Sequence, residues 1–260
     1  MVSPAGGVRA APASSDEPVL RVRGLHKAHA LGATPIEVLR GVDLDIHAGE
    51  MCAIMGPSGV GKSTLLSCVA GLESPDRGEV RVLGEDMAAL DEHGRTLLRR
   101  RRVGIVYQFF NLVPTLTGYE NIVLPYLIDG AAPDHDAASR MLDRVGMRAR
   151  AEHLPSQMSG GEMQLISIAR ALVRRPALVL ADEPTGNVNV ATGRRIMALL
   201  ADALREAGSA MLLVTHNAED AARAHRVVFM RDGLLLHDAA LAGPAVTSAA
   251  VHDRLKELGI

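Results

Sequence analysis

A chain of 260 residues, 48% hydrophobic and 22% charged, has the profile of a globular protein large enough for one α/β domain with a lobe inserted into it. Its formal net charge of −2 offers no electrostatic footing for nucleic acid. No apolar run approaches the ~18–20 residues of a membrane span, and Met1–Pro18, rich in Ala, Pro, Ser and Gly, reads as a disordered tail rather than a secretion signal.

Val19–Val22 and Val42–Ile46 read as strands, the second alternating Val42, Leu44 and Ile46 with Asp43 and Asp45. Met51–Met55 is a short apolar strand running into a glycine-rich turn, and Lys62–Ala70 reads as the helix after it. Cys52 and Cys68 flank that turn, which suits a reducing cytoplasm better than a disulfide framework. A turn at Ser74–Gly78 leads to a strand at Glu79–Leu83, then a helix at Asp91–Arg101 and a strand at Val103–Tyr107. The basic run Arg99–Arg102 reads as a solvated helix end, with an interface role as the alternative. From Gln108 to Gln157 the texture changes to loops and helices, including Ala137–Val145, as expected of a helical insertion. The α/β rhythm then resumes with a helix at Gly161–Val173, a strand at Ala177–Ala181, a helix at Ala191–Ala207 and a strand at Ala210–Thr215. Strands alternating with helices imply a mostly parallel sheet covered on both faces.

The turn after Met55 carries chemistry. Gly56-Pro57-Ser58-Gly59-Val60-Gly61-Lys62-Ser63, followed by Thr64, fits a phosphate-binding loop between a strand and a helix. Its glycines let backbone N–H groups converge on phosphate oxygens, and the next helix points its N-terminal partial charge at the same anion. Lys62 would supply a point charge to the β- and γ-phosphates of ATP, and Ser63 a hydroxyl to Mg²⁺. Further on, the apolar run Leu178–Ala181 ends in Asp182 and Glu183. Two carboxylates there are costly unless they meet a cation or polarise a ligand. Asp182 is the natural Mg²⁺ partner and Glu183 the natural general base; an acidic helix cap is the other reading.

The next segment separates nucleotide-binding families. Met158-Ser159-Gly160-Gly161-Glu162 precedes a helix containing Ile168-Ala169-Arg170-Ala171-Leu172, and here the chain resembles the ATP-binding subunit of an ABC transporter. Ser159, Gly160, Gly161 and Glu162 would form a second anion nest at a helix N-terminus. One phosphate loop has little use for two nests, and the family's solution is a head-to-tail dimer in which each nest closes on the partner's ATP. The resemblance further implies that Gln108 links the γ-phosphate site and its metal to the helical lobe, and that His216 contacts the γ-phosphate. It covers about residues 19–238. It implies an α/β P-loop NTPase with a mostly parallel core sheet, an N-terminal antiparallel β subdomain and an inserted helical subdomain at about 109–160. The ATP-binding domain would occupy 19–240, with a C-terminal helical extension at 241–260.

Gln108–Thr117, Glu120-Asn121-Ile122, Ala181–Asn187 and Met230–Gly233 are similar to the subgroup of macrolide exporters and lipoprotein-releasing systems. That implies an ATPase at the cytoplasmic face of the membrane, working as a homodimer or with a second ATP-binding subunit. It would drive an integral membrane permease docked near Gln108–Tyr126. Five of the six aromatics, Tyr107, Phe109, Phe110, Tyr119 and Tyr126, fall in this stretch. They would give the docking groove contact surface, although Tyr119 and Tyr126 suit packing of the lobe equally well.

Three departures from the family stand out. Asn189 replaces the Asp expected after Gly186-Asn187-Val188, and His29 stands where an adenine-stacking aromatic is expected. Leu165 and Met163 replace an Arg and a Gln, which should make the surface more apolar. They motivate a second expectation, a regulatory or scaffolding ATP-binding module with slow turnover. A soluble DNA-repair or translation protein of the family is disfavoured, since the chain has neither coiled coils nor a second cassette.

Overall fold

A computed structural model of the chain describes residues 17–31 and 34–260. The expected tail lies outside the described residues up to position 16; Glu17 and Pro18 are placed, and Pro18 is buried. The protein is α/β, with an antiparallel sheet from the N-terminal part and a mixed, mostly parallel sheet behind it.

The antiparallel sheet has the order β2-β1-β4-β5, with β1 at Leu20–Leu31, β2 at Thr34–Ile46, β4 at Arg77–Val82 and β5 at Glu85–Asp86. β1 and β2 run well beyond the short strands that the apolar pattern predicts. Their outer halves carry polar residues such as Lys27 and Glu37, and register shifts at Val22/Leu25, Leu25/His26 and Lys27/Ala28 break the alternation. Gly24, in the left-handed region at φ 52°, sits within the first of these bulges.

The second sheet has the order β10-β9-β3-β8-β7-β6. Its strands are β3 (Met51–Met55), β6 (Val103–Val106), β7 (Leu178–Asp182), β8 (Ala210–Val214), β9 (Arg226–Arg231) and β10 (Leu234–Ala242). All run parallel except β10, which returns antiparallel on β9. Both faces are covered, so successive residues of β3 serve different cores. Met51, Ala53 and Met55 join the cluster that includes Ile122, Leu142 and Ile166, whereas Cys52 and Ile54 join Leu20, Leu25 and Val42. That double burial is why these strands read as continuous apolar runs. Cys52 and Cys68 are free and buried, and burial pushes their thiols up to about 12 and about 11.

Eight helices are described: α1 (Lys62–Val69), α2 (Glu92–Arg102), α3 (Gly118–Ile128), α4 (His135–Arg144), α5 (Gly160–Leu172), α6 (Val190–Ala207), α7 (Ala218–Ala221) and α8 (Ser248–Glu257). Most begin at a side-chain cap. Asp91 Oδ1 accepts from Gly94 N at 2.7 Å, Thr117 and Glu120 form a reciprocal box, and Asn189 Oδ1 accepts from Thr192 N at 2.9 Å.

The arginine run closes α2 as expected, with Arg101 and Arg102 exposed, and three of its members are also tied to neighbouring elements. Arg99 donates to the Gly71 carbonyl at 2.8 Å and pairs with Glu92, Arg100 donates to the Ile128 carbonyl at 3.1 Å, and Arg101 pairs with Asp129 at 3.0 Å. Carbonyls left over at the ends of α1 and α3 attract the guanidinium groups. The aromatics do not form one surface. Tyr119 stacks on His135, and Tyr126 donates to the Val173 carbonyl at 3.3 Å beneath Arg174, while Phe109 is 68% exposed.

Candidate active site

The C-terminal ends of four neighbouring parallel strands meet on one side of the sheet. β3 leads into Gly56, β8 into Thr215 and His216, β7 into Asp182 and Glu183, and β6 into Tyr107 and Gln108. The register pairs Ile54 with Val214, Asp182 with Val214 and Val106 with Ala181, so these loops leave the sheet at one level. Open α/β sheets place their ligands at this edge.

Within Gly56–Thr64, Pro57, Ser58 and Gly59 form an exposed tip, and Val60 is half-buried. A Cβ on Gly56 would lie 2.3 Å from the Met230 carbonyl, so only glycine lets the loop pass β9. Gly61 caps α1 in the left-handed region at φ 110°, and no side chain takes up the first N–H groups of the helix. Those donors, with the helix dipole, suit an anion. Lys62 is 8% exposed, and its Nζ donates to the Gly56 and Pro57 carbonyls at 2.8 and 2.7 Å. Burial lowers its pKa, while Glu183 and Asp182 act to hold the ammonium charged.

The Ser63 hydroxyl hydrogen-bonds Asp182, whose carboxyl is raised chiefly by burial and further by Glu183. Glu183 adopts φ 46°, a left-handed backbone that costs of order 1–3 kcal/mol in a non-glycine residue. It is held there by its N–H, which donates to the Val214 carbonyl at 2.9 Å. The carboxylate is 12% exposed, with Oε2 at 2.8 Å from His216 Nδ1 and 3.3 Å from His216 N. The Gln108 amide lies against Gly186, and Asn187 Nδ2 donates to the Gln108 carbonyl at 2.8 Å. Lys62, Ser63, Gln108, Asp182, Glu183 and His216 thus share one neighbourhood.

Two other sets stand apart. His29 is an exposed residue of β1, 3.1 Å from Glu73, and it pairs with Ile36 two residues along β2 from Val38, the neighbour of Gly61. Ser159–Glu162 opens α5 as a reciprocal cap: Glu162 Oε2 accepts from Ser159 N at 2.8 Å and from its hydroxyl at 2.9 Å. Among the described residues no hydrogen bond or ion pair joins this turn to Gly56–Thr64. It faces Asn187–Asn189 across a groove of about 500 Å³.

Glu162 is held down to about 2, first by the Ser159 N–H, then by Arg150 and the Ser159 hydroxyl. A depressed carboxylate stabilises the fold above its ordinary value of 4.5 and loses that contribution as pH falls toward 2. Glu162→Gln is therefore expected to flatten the acid limb in that window, read by urea unfolding at stepped pH. An acid limb identical to wild type would refute it.

The expectation that Leu165 makes the surface more apolar is corrected. Leu165 is 4% exposed and joins the core, and Met163 packs half-buried against the same cluster, because α3, α4 and α6 pack around α5 as well as the sheet. Several residues were passed over at the sequence level. Gln164 is 1% exposed and donates to the Tyr107 and Pro184 carbonyls at 3.2 and 2.7 Å. The signal was available, since it stands four residues before buried Ile168 and eight before Leu172. Thr185 hydrogen-bonds buried Asp220, tying the segment after Glu183 to the one after His216. Arg170, whose pKa burial lowers, donates to the Phe110 and Asn111 carbonyls at 3.0 and 2.6 Å.

Comparison with known proteins supplies the wider setting. A sequence profile described as ABC transporter matches residues 39–186. The chain is 46% identical over 225 residues to the lipoprotein-releasing system ATP-binding protein LolD of Ruegeria sp. (strain TM1040), covering 85% of this chain and 98% of that one. It is 42% identical over 235 residues to the pyoverdine export ATP-binding/permease protein PvdT of Pseudomonas fluorescens, covering 89% of this chain and 36% of that one. The dimeric post-hydrolysis structure of the ATP-binding cassette MJ0796 with ADP and Pi superposes with a TM-score of 0.80 at 35% identity, covering 86% of this chain and 98% of that one.

Proposed function

The chain belongs to the ABC transporter family, and we propose that it is the ATP-hydrolysing subunit of a lipoprotein-releasing or related exporter. In this reading two copies, or this chain and a second ATP-binding subunit, close head-to-tail on ATP at the cytoplasmic face of the membrane. No helix among the described residues is long and apolar enough to cross a membrane; the partner in this reading is an integral permease. The observation that carries the reading is the Glu183 carboxylate, locked 2.8 Å from His216 in the same cluster as Lys62 and Asp182.

In the mechanism, Gly56–Thr64 cradles the phosphates through backbone N–H groups, and Lys62 moves from its loop carbonyls to the β- and γ-oxygens. The buried Asp182 carboxylate and the Ser63 hydroxyl already bonded to it fit a hard cation. They would hold Mg²⁺ with Gln108, and the ion would neutralise charge on the phosphate oxygens. Glu183 orients the attacking water and accepts its proton, while His216 fixes the carboxylate and reaches the γ-phosphate. Ser159–Glu162 of the opposite subunit closes the other side, and the exposed His29 would be available to the base. The departures leave this core intact. Asn189 caps α6 as an Asp would, and Leu165 is buried away from the cluster. Slow regulatory turnover therefore gains no support from Leu165.

The permease would dock in a groove of about 420 Å³ between α2, β6 and α3, lined by Arg99, Arg100, Leu124, Ile128, Arg170 and Arg174. By this reading 109–160 is the receiving lobe of a 19–240 domain and 241–260 an appended extension. A tagged chain isolated from detergent-solubilised membranes should bring down one integral membrane protein, and Leu124→Asp should lose it while still binding ATP. Retention by Leu124→Asp would move the docking site elsewhere. Recovery of no membrane protein would count against the subunit role.

A further inference from the structure

Gln164 is a buried amide in a helix whose other buried positions are apolar apart from Ser167. Its Nε2 donates to the Pro184 carbonyl at 2.7 Å and to the Tyr107 carbonyl at 3.2 Å, while Oε1 is buried without a partner. An amide with an orphaned oxygen is an unfavourable way to fill core space, so packing alone does not account for it. The two carbonyls it reaches are not arbitrary. Pro184 directly follows Glu183, and Tyr107 directly precedes Gln108. The amide itself stands two residues after Glu162, on the helix that Ser159–Glu162 opens. One side chain therefore joins three segments: α5 (the signature helix that Ser159–Glu162 opens), the end of β6 and the turn after β7.

We propose that Gln164 is a positioning residue that ties the signature helix to the backbone carrying Gln108 and Glu183. This rests on the reading that Ser159–Glu162 closes on the opposite subunit's nucleotide. Any shift of α5 on meeting that nucleotide is then passed through one amide to the base and the metal-side glutamine of the chain's own site. The coupling acts on the chemical step and leaves the phosphate loop alone, because among the described residues no hydrogen bond joins Gln164 to Gly56–Thr64 or α1.

Two variants of the full chain test it. Gln164→Met keeps length and volume but removes both the donor and the orphan oxygen. Gln164→Asn keeps an amide but draws it back by one methylene. Both are expected to lower kcat for Mg-ATP by about tenfold, with KM and the Kd for a fluorescent ATP analogue within about twofold of wild type. The Met variant should melt at or above the wild-type temperature. If Gln164→Met turns over like wild type and only Gln164→Asn is impaired, the residue merely fills space and the proposal falls. It falls also if the loss appears in KM alone. If the Met variant does not fold, Gln164→Leu, which also fills the core without an amide, takes its place: a loss of kcat by about tenfold at unchanged KM upholds the proposal and wild-type kcat refutes it. Failure of the underlying composite-site reading shows separately, as a Glu183→Gln chain that binds ATP but stays monomeric by light scattering.

Discussion

Replacing Glu183 by Gln is expected to lower kcat for Mg-ATP by about 100-fold or more, while ATP binding persists. The amide is nearly isosteric and its Oε1 can still accept from His216 N, so the left-handed turn at φ 46° and the bond to Val214 need not change. What is lost is an oxygen able to take a proton from the attacking water. Lys62 and Ser63 are untouched, so the phosphates stay cradled and the ATP-bound dimer should accumulate. Phosphate release and light-scattering mass of the dimer in ATP would be measured together. Equal rates for variant and wild type would remove Glu183 from the chemistry, and with it the mechanism.

The result separates what was legible in the sequence from what was not. The strand-to-loop-to-helix pattern around Gly56–Thr64 and the apolar run ending in Asp182-Glu183 are local signals, and both fall where the chain leaves the sheet. Their meeting with Gln108 and His216 is set by strand order, which no local pattern states. β1 and β2 were read too short because hydrogen bonding along a polar, bulged ladder holds their outer halves, and burial leaves its mark only on the inner ones. The partners of the arginine run, Gly71, Ile128 and Asp129, are distant in sequence and leave no local signal. The capping role of Asn189 at α6 is a local signal, an Asx residue one position before the helix. Gln164 was missed because a single polar residue in an apolar helix face is easily taken for an exposed one.

The largest loss of binding should come from Gly61→Ala, and the reason lies in the contrast between two loop glycines. Gly59 and Gly61 are both left-handed, at φ 78° and 110°. A Cβ on Gly59 meets nothing within 4 Å, so Gly59→Ala carries only backbone strain, about 1–2 kcal/mol. A Cβ on Gly61 would stand 2.7 Å from the Val38 carbonyl and 3.0 Å from Leu39 Cδ2. Val38 sits at the bulge opposite Lys27 and Ala28, but its carbonyl is also packed against Gly233, and Leu39 is fully buried, so neither neighbour can yield cheaply. Strain and overpacking together predict a loss of about 2–4 kcal/mol in urea unfolding. Relief can come only if the start of α1 moves, which displaces the N–H groups of its first turn together with Lys62 and Ser63. ATP affinity should therefore fall by about 100-fold or more in Gly61→Ala and by much less in Gly59→Ala, since three or more charge-assisted contacts depend on that first turn. Isothermal titration with Mg-ATP beside the unfolding curves would decide it. Wild-type affinity in Gly61→Ala would mean that the phosphates are gripped elsewhere than at the start of α1.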